Sequence, residues 1–257
     1  MTSVGAIPPG WQQPPQNLAL PHHEVHVWVT PLDLPSSATS ELLEALSPEE
    51  RARASRFRAL RDRERYIIAH GALRDILGRY LSLAPADVRL CVAPSGKPAL
   101  APAAPGQHLE FNLSHSHELA LIAVGSGRQL GVDVERIRPE APGEAIVERF
   151  FAPAEAAVLR TLPSEARLAA FFAGWTRKEA YSKARGDGLR KPLNQFAVII
   201  APEQPAALLY DASDLTAASR WSLRTLDVGR TYAAAVAIEG HGWRLRRWLW
   251  SKPAFPQ

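Results

Sequence analysis

Two stretches of this chain repeat one another in outline, and that repetition limits the available folds more than any other feature. The first opens on an alternating strand, Val25-His26-Val27-Trp28-Val29, passes through a helical region and closes on strands at 109–113 and 119–124. The second opens on another alternating strand, Leu130-Gly131-Val132-Asp133-Val134-Glu135. Helical stretches follow from Glu144 to Ala184, broken near Pro153 and Pro163, and strands close the half at 196–200, 221–226 and 232–238. Apolar residues recurring with period two mark strands, and those recurring every three or four residues mark helices. Each half therefore reads strand, helices, strands, and the closing runs LALIAVG (119–125) and YAAAVAIEG (232–240) share one texture. The fold class expected is α+β, a pseudo-dimer of two similar halves, with the active site in the cleft between them. The expected divisions are an irregular N-terminal segment over 1–20, a first half over 21–129 and a second over 130–257.

The first half carries a strong helix start at Ser47-Pro48-Glu49-Glu50: an N-cap hydroxyl, Pro at the first helical position and acids in the first turn. Helical periodicity continues through Phe57, Leu60, Ile67, Ile68, Leu73, Ile76, Leu77 and Leu81. Seven arginines, Arg51, Arg53, Arg56, Arg58, Arg61, Arg63 and Arg65, surround this helix without keeping to one stripe. A nucleic-acid face is one reading of them; a solvated surface with one or two side chains reaching a ligand phosphate is the other. A net charge of +4 is too weak to claim nucleic acid and suits an acidic partner or a phosphate-rich ligand. The one cysteine, Cys91, leaves no disulfide framework and no cysteine-based zinc cluster within the chain, which points to a reducing cytoplasm. The first twenty residues do not read as a signal peptide. No apolar run reaches the roughly 18 residues that span a bilayer. The Trp- and Arg-rich stretch from His241 is read as packing back on the domain.

Chemistry concentrates in four short segments. In Val132-Asp133-Val134-Glu135 the two acids share one face of a strand, about 6–7 Å apart by strand rise, and repel unless something positive lies between them. Mg²⁺ meets that need, since it takes one or two carboxylates plus substrate phosphates; a polar face meeting water, or neutralisation by Arg136 and Arg138, is the plainer reading. On the helix through Leu168, Phe171, Phe172 and Trp175, the next position of the apolar stripe is Glu179, and Lys183 follows four later. An acid there is costly to bury unless paired or metal-bound; an i,i+4 Glu–Lys pair in solvent is the alternative. Pro94-Ser95-Gly96-Lys97-Pro98 is a turn presenting a lysine, without P-loop spacing. Phe111-Asn112-Leu113-Ser114-His115-Ser116-His117 ends a strand in hydroxyls and imidazoles that can bind phosphate, or zinc if His115 and His117 join Asp133. Gly125-Ser126-Gly127 reads as a hairpin turn before the carboxylate strand.

Taken in order across about 140 residues, Ser47-Pro48-Glu49, Gly96-Lys97-Pro98, Phe111-Asn112-Leu113-Ser114-His115-Ser116, Gly131-Val132-Asp133-Val134-Glu135 and Trp175-Thr176-Arg177-Lys178-Glu179-Ala180-Tyr181-Ser182-Lys183 with Gly186-Asp187-Gly188-Leu189 resemble the Sfp-type phosphopantetheinyl transferases. The resemblance implies an enzyme that moves the 4′-phosphopantetheine arm of coenzyme A onto a serine of an apo acyl or peptidyl carrier protein. It implies a cytoplasmic monomer, using no nucleic acid and no membrane. It implies Asp133, Glu135 and Glu179 as ligands of Mg²⁺, Glu179 as the group that takes the serine proton and Lys183 at the pyrophosphate. Ser114, His115 and Arg53 would hold the 3′-phosphate, Lys97 and Pro98 would line the adenine pocket, and Arg65 would contact the nucleotide. Some relatives carry a lysine where Glu50 stands, so that phosphate contact is expected to differ here.

Overall fold

The computed structural model describes residues 10–101, 108–140, 143–186, 188 and 191–252. The first nine residues of the N-terminal segment, and Asp187 and Leu189 of the last motif, lie outside the described residues. The first half runs β1 (Glu24–Pro31), α1 (Ser36–Ala45), α2 (Pro48–Ala54), α3 (Leu60–Leu81), a small hairpin of β2 (Leu90–Val92) and β3 (Pro98–Leu100), then β4 (Leu109–Ser116) and β5 (Leu119–Ser126). The second runs β6 (Leu130–Arg136), α4 (Glu144–Phe150), α5 (Pro153–Thr161), α6 (Ser164–Arg185), β7 (Phe196–Val198), β8 (Leu208–Asp211), α7 (Ala217–Arg220), β9 (Trp221–Thr225) and β10 (Tyr232–Glu239), and β11 (Arg244–Leu249) follows.

The duplication is visible in the strand order. One sheet contains β1-β5-β4 and the other β6-β10-β9, the same arrangement of first, last and middle strands. Each has a 22-residue helix, α3 or α6. The chain is thus an α+β protein of two similar halves. Its core has three parts: one under α1–α3, one under α4–α6, and one between the sheets built from Val25, Val27, Val29, Leu121, Ala123, Val132, Val134, Val236 and their neighbours. The central strand β5 is covered on both faces, with Leu121 and Ala123 in the middle core and Ile122 and Val124 under the helices. That explains its nearly continuous apolar run.

Local sequence accounts for most element ends. Pro153 starts α5 and Pro163 precedes α6, where the helical pattern breaks. Ser47 caps α2 through a capping box with Glu50. Two features depart from the sequence reading, and a third, the packing of the tryptophan-rich stretch back on the domain, is as expected but takes the form of a strand. The helical region of the first half is interrupted over residues 55–59, between α2 and α3. Gly125-Ser126-Gly127 does not close a hairpin, because β5 and β6 belong to different sheets. The stretch from His241 forms β11, which pairs parallel with β1 and so joins the first sheet, with Trp248 and Trp250 packed on the core under α1–α3.

Between β4 and β6 the two sheets meet edge to edge without a backbone ladder. Asn112 Oδ1 accepts the Val132 N–H at 2.9 Å, Ser114 Oγ the Val134 N–H at 3.4 Å and Ser116 Oγ the Arg136 N–H at 3.1 Å. Alternate side chains of β4 therefore take the place of carbonyls and satisfy the edge amides of β6.

Behind β6 lies α6, and the approach is close. A Cβ on Gly131 would overlap the Ala180 carbonyl oxygen and the Ala184 amide, both backbone atoms that cannot move aside. Gly131→Ala is expected to cost about 3 kcal/mol or more, the upper range for overpacking, and to lower the thermal midpoint by about 5 °C or more. Gly143→Ser, where the added atom meets open space at a helix N-cap, should stay near wild type. Differential scanning fluorimetry of the two variants checks this.

Candidate active site

Gly131, Asp133 and Glu135 occupy one face of β6, the face turned to α6. The contact that only glycine permits brings both acids within reach of Glu179 and Lys183. Together with Leu113, Ser114, His115 and Trp175, these four line a recess of 380 Å³ at the seam of the two halves. Asp133 is 3% exposed. Its Oδ1 accepts from Ser114 Oγ at 2.9 Å and from Lys183 Nζ at 2.6 Å. Ser116 Oγ donates to Glu135 Oε2 at 2.9 Å. The two serines that accept β6 amides thus also orient the two β6 carboxylates.

The electrostatics are those of a site short of positive charge. Burial raises the pKa of all three acids. The Asp133 charge raises Glu135 further, and the charges of Asp133 and Glu135 do the same to Glu179. Among the described residues Lys183 is the one cation bonded to them, and it bonds Asp133 and Ser114, not Glu179. The i,i+4 pair read from the sequence is therefore replaced by a bond across the seam. Asp133 Oδ2 is buried without a hydrogen-bond partner, and Glu179 has none among the described residues. An orphaned buried carboxylate oxygen beside two further acids is the donor set a hard divalent cation takes. Among the described residues the three do not close into a preformed metal cluster. Their mutual repulsion and the Lys183 ammonium on Asp133 both work against closure.

The opposite side of α6 is structural. Lys178 is fully buried, donating to Glu155 Oε2 and the Phe196 carbonyl, each at 2.6 Å, and Glu155 also accepts the amides of Ala152 and Val198. Arg177 donates to the carbonyls of Ile199, Ala201 and Gln204. Tyr181 donates to Asp211, which also holds Lys191 and Arg185. These bonds fix the rotation of α6 about its axis, and with it the direction of Glu179 and Lys183.

The other residues expected at the site are distributed unevenly. His115 lies on the opposite face of β4 from Ser114 and Ser116. Its pKa is lowered by burial around the ring and then by the positive charges of His70, Lys183 and Arg53. His115 nonetheless lines the same recess as Asp133, whose Oδ1 is committed to Ser114 and Lys183. Arg53 lines a second recess of 620 Å³ with Glu49, Ala52, Arg56 and Phe57. Lys97 Nζ donates to the Leu130 carbonyl at 2.8 Å, and Pro98 is exposed at the start of β3. Neither lines a described recess, although Ser95 of the same turn packs against Gly186 at the end of α6. Arg65 is held by Asp33 at 3.0 Å and Glu118 at 3.4 Å, away from the carboxylates. The sequence reading missed Asn112 and Ser116, whose spacing from Ser114 is the strand period and could have marked them. It also missed the environment of Glu50, which bonds His70 at 3.0 Å and Arg74 at 2.7 Å.

Comparison with known proteins shows the family. Residues 129–237 match the model of the 4′-phosphopantetheinyl transferase superfamily, and residues 34–126 that of the 4′-phosphopantetheinyl transferase N-terminal region. The chain is 42% identical over 238 residues to the 4′-phosphopantetheinyl transferase HetI of Nostoc sp., covering 93% of this chain and 97% of that protein. It is 34% identical over 169 residues to a 4′-phosphopantetheinyl transferase of Bacillus subtilis, covering 65% and 73% of the two chains. The L-aminoadipate-semialdehyde dehydrogenase-phosphopantetheinyl transferase of Homo sapiens is 28% identical over 180 residues, 66% of this chain and 58% of that one.

Glu50 gives the first half a defined pH dependence. Burial alone would raise its carboxyl, but the bonds from His70, the Ser47 amide and Arg74 outweigh it and hold the group down to about 2, against 4.5 when free. A carboxyl lowered on folding stabilises above its unfolded pKa, and the benefit is lost as pH falls through the folded value. Glu50→Gln should therefore cost about 3 kcal/mol at pH 7. The gap to wild type should narrow between pH 4.5 and about 2. Urea unfolding of both proteins across that range measures it.

Proposed function

The chain belongs to the 4′-phosphopantetheinyl transferase superfamily, and from that premise we propose how its residues move the 4′-phosphopantetheine of coenzyme A to a serine of an apo carrier protein. The observation that carries the reading is the meeting of Asp133, Glu135, Glu179 and Lys183 at the seam of the halves. Asp133, Glu135 and Glu179 would hold Mg²⁺, with the unpartnered Asp133 Oδ2 as the oxygen left open for it. The ion would supply positive charge at the pyrophosphate, where negative charge builds as the phosphoanhydride breaks. Residues 21–129 would serve the nucleotide and 130–257 the metal and the chemistry.

Glu179 takes the acceptor serine's proton. Burial and the two neighbouring acids raise its pKa, which makes it a stronger base than an ordinary carboxylate. The serine oxygen bonds to the phosphorus that carries pantetheine, and the bond from that phosphorus to the bridging oxygen breaks. Adenosine 3′,5′-bisphosphate leaves with that oxygen. Lys183, held on Asp133 and Ser114 in this structure, is within its side-chain reach of the same recess and would meet the charge on the leaving phosphate. His115 and Arg53 would take the 3′-phosphate. Ser114, with its hydroxyl between Asp133 and Lys183, acts by orienting these two. Phosphoryl transfer asks mainly for such positioning and charge.

One chain supplies every side chain named, which supports a monomer, and the exposed free thiol of Cys91 suits a reducing cytoplasm. No helix among the described residues is long and apolar enough to cross a membrane. Incubating an apo carrier protein with the enzyme, Mg²⁺ and coenzyme A, then measuring its intact mass, tests the reading. Wild type should add one phosphopantetheine arm. Glu179→Gln should slow the addition by about 100-fold or more, the scale of a lost general base. Full loading by that variant would overturn the assignment of Glu179.

A further inference from the structure

Lys183 occupies ground that the three acids would otherwise offer to a metal ion. Its Nζ lies 2.6 Å from Asp133 Oδ1 and 2.9 Å from Ser114 Oγ. Ser114 Oγ donates to the same Oδ1 at 2.9 Å. That oxygen therefore already accepts two hydrogen bonds, and Oδ2 is the one without a partner. The Asp133 side chain is 4% exposed and that of Lys183 30%. The pair joins a fixed, buried carboxylate to a long flexible stem that opens toward solvent. A divalent cation on Oδ2 would face the ammonium across a single carboxylate, where like charges oppose each other. Lys183 follows Glu179 by one turn of α6, so one helix carries both a ligand of the metal and its rival.

We propose that Lys183 is a built-in competitor for Mg²⁺, and that the pyrophosphate of coenzyme A releases the metal site by drawing the ammonium off Asp133. The inference rests on the transferase reading. Without coenzyme A the ammonium neutralises Asp133, and the site takes a divalent cation weakly. With coenzyme A the pyrophosphate offers Lys183 more negative charge than one carboxylate does, and its move frees Oδ1 beside Oδ2. Metal and coenzyme A then bind cooperatively, beyond what the phosphate oxygens add as ligands. No covalent bond changes in this exchange; one cation replaces another on Asp133. Asp133 is thereby never left as an uncompensated buried charge, which is the costly state. Lys183 so regulates the site before it meets the leaving phosphate.

Titration with Mn²⁺, a paramagnetic ion that takes the same oxygen ligands as Mg²⁺, reads metal affinity by water-proton relaxation with no carrier protein present. Four dissociation constants are compared: wild type and Lys183→Met, each with and without saturating coenzyme A. The methionine keeps an unbranched stem and removes the charge. It should strengthen Mn²⁺ binding about tenfold or more without coenzyme A, the effect of removing one adjacent like charge, and by less than about threefold with it. Equal gains in the two states, as from a merely distant charge, or no gain without coenzyme A, would overturn the proposal. Lys183→Arg keeps a cation at the same position. Without coenzyme A it should bind Mn²⁺ as weakly as wild type, and clearly tighter binding would equally overturn the proposal. If Lys183→Met unfolds, Lys183→Gln gives the same comparison. Wild-type loading of a carrier protein, run alongside, separates the two levels. No loading sinks the transferase reading, whereas loading with equal Mn²⁺ gains in the uncharged variant sinks only this one.

Discussion

The three side chains by which β4 grips the edge of β6 hold the rest of the structure in place. Two sheets meeting edge to edge would ordinarily form one continuous ladder or leave a row of amides exposed. Here Asn112, Ser114 and Ser116 accept the three amides, and the two serines pass their own protons to Asp133 and Glu135. A hydroxyl can accept and donate at once, which a carbonyl cannot. The seam is therefore closed by groups that also aim carboxylates, and the join between the halves and the orientation of the site are the same set of bonds.

The second constraint is α6, which is fixed on one side so that it can be reactive on the other. Lys178 and Glu155 form a buried pair, and Arg177 covers three carbonyls. Buried pairs of this kind add little net stability, yet breaking one by removing a partner is expensive. Their effect is to select one rotation of the helix. On its reactive side the missing side chain of Gly131 lets β6 approach the helix backbone. Four charged groups from two elements then share one small recess. The cost of holding three acids together shows in their raised pKa values, and a cation relieves it.

Much of this was legible in the residues. Alternation in 130–135 placed both acids on one face, and the stripe that reaches Trp175 put Glu179 on the same side of its helix as Trp175, which lines the recess with it and is half-buried, not core. Pro153 and Pro163 marked helix starts because proline fits the first turn and no later one. The return of β11 to the first sheet was hidden, since strand partners far apart in the chain leave no local signal. So was the break between α2 and α3, where the pattern stays helical although the backbone does not. The roles of Arg177 and Lys178 were hidden for another reason. Cations in the middle of a helix look solvated until their partners, some 20 residues away, are known. The environment of Glu50 gave no periodic signal, because it depends on His70 and Arg74 one helix later.

The most direct test of the seam as the device that organises the site is the magnesium dependence of transfer in a Ser114→Ala, Ser116→Ala double variant. Both acids remain in this protein, and only the groups that orient them are gone. Groups that orient metal ligands typically contribute about 10–100-fold to metal affinity. The apparent Mg²⁺ affinity should fall by that amount, in a protein whose circular dichroism is still that of the folded chain. An unchanged Mg²⁺ dependence in the folded variant would contradict the claim that β4 sets the carboxylates for the metal.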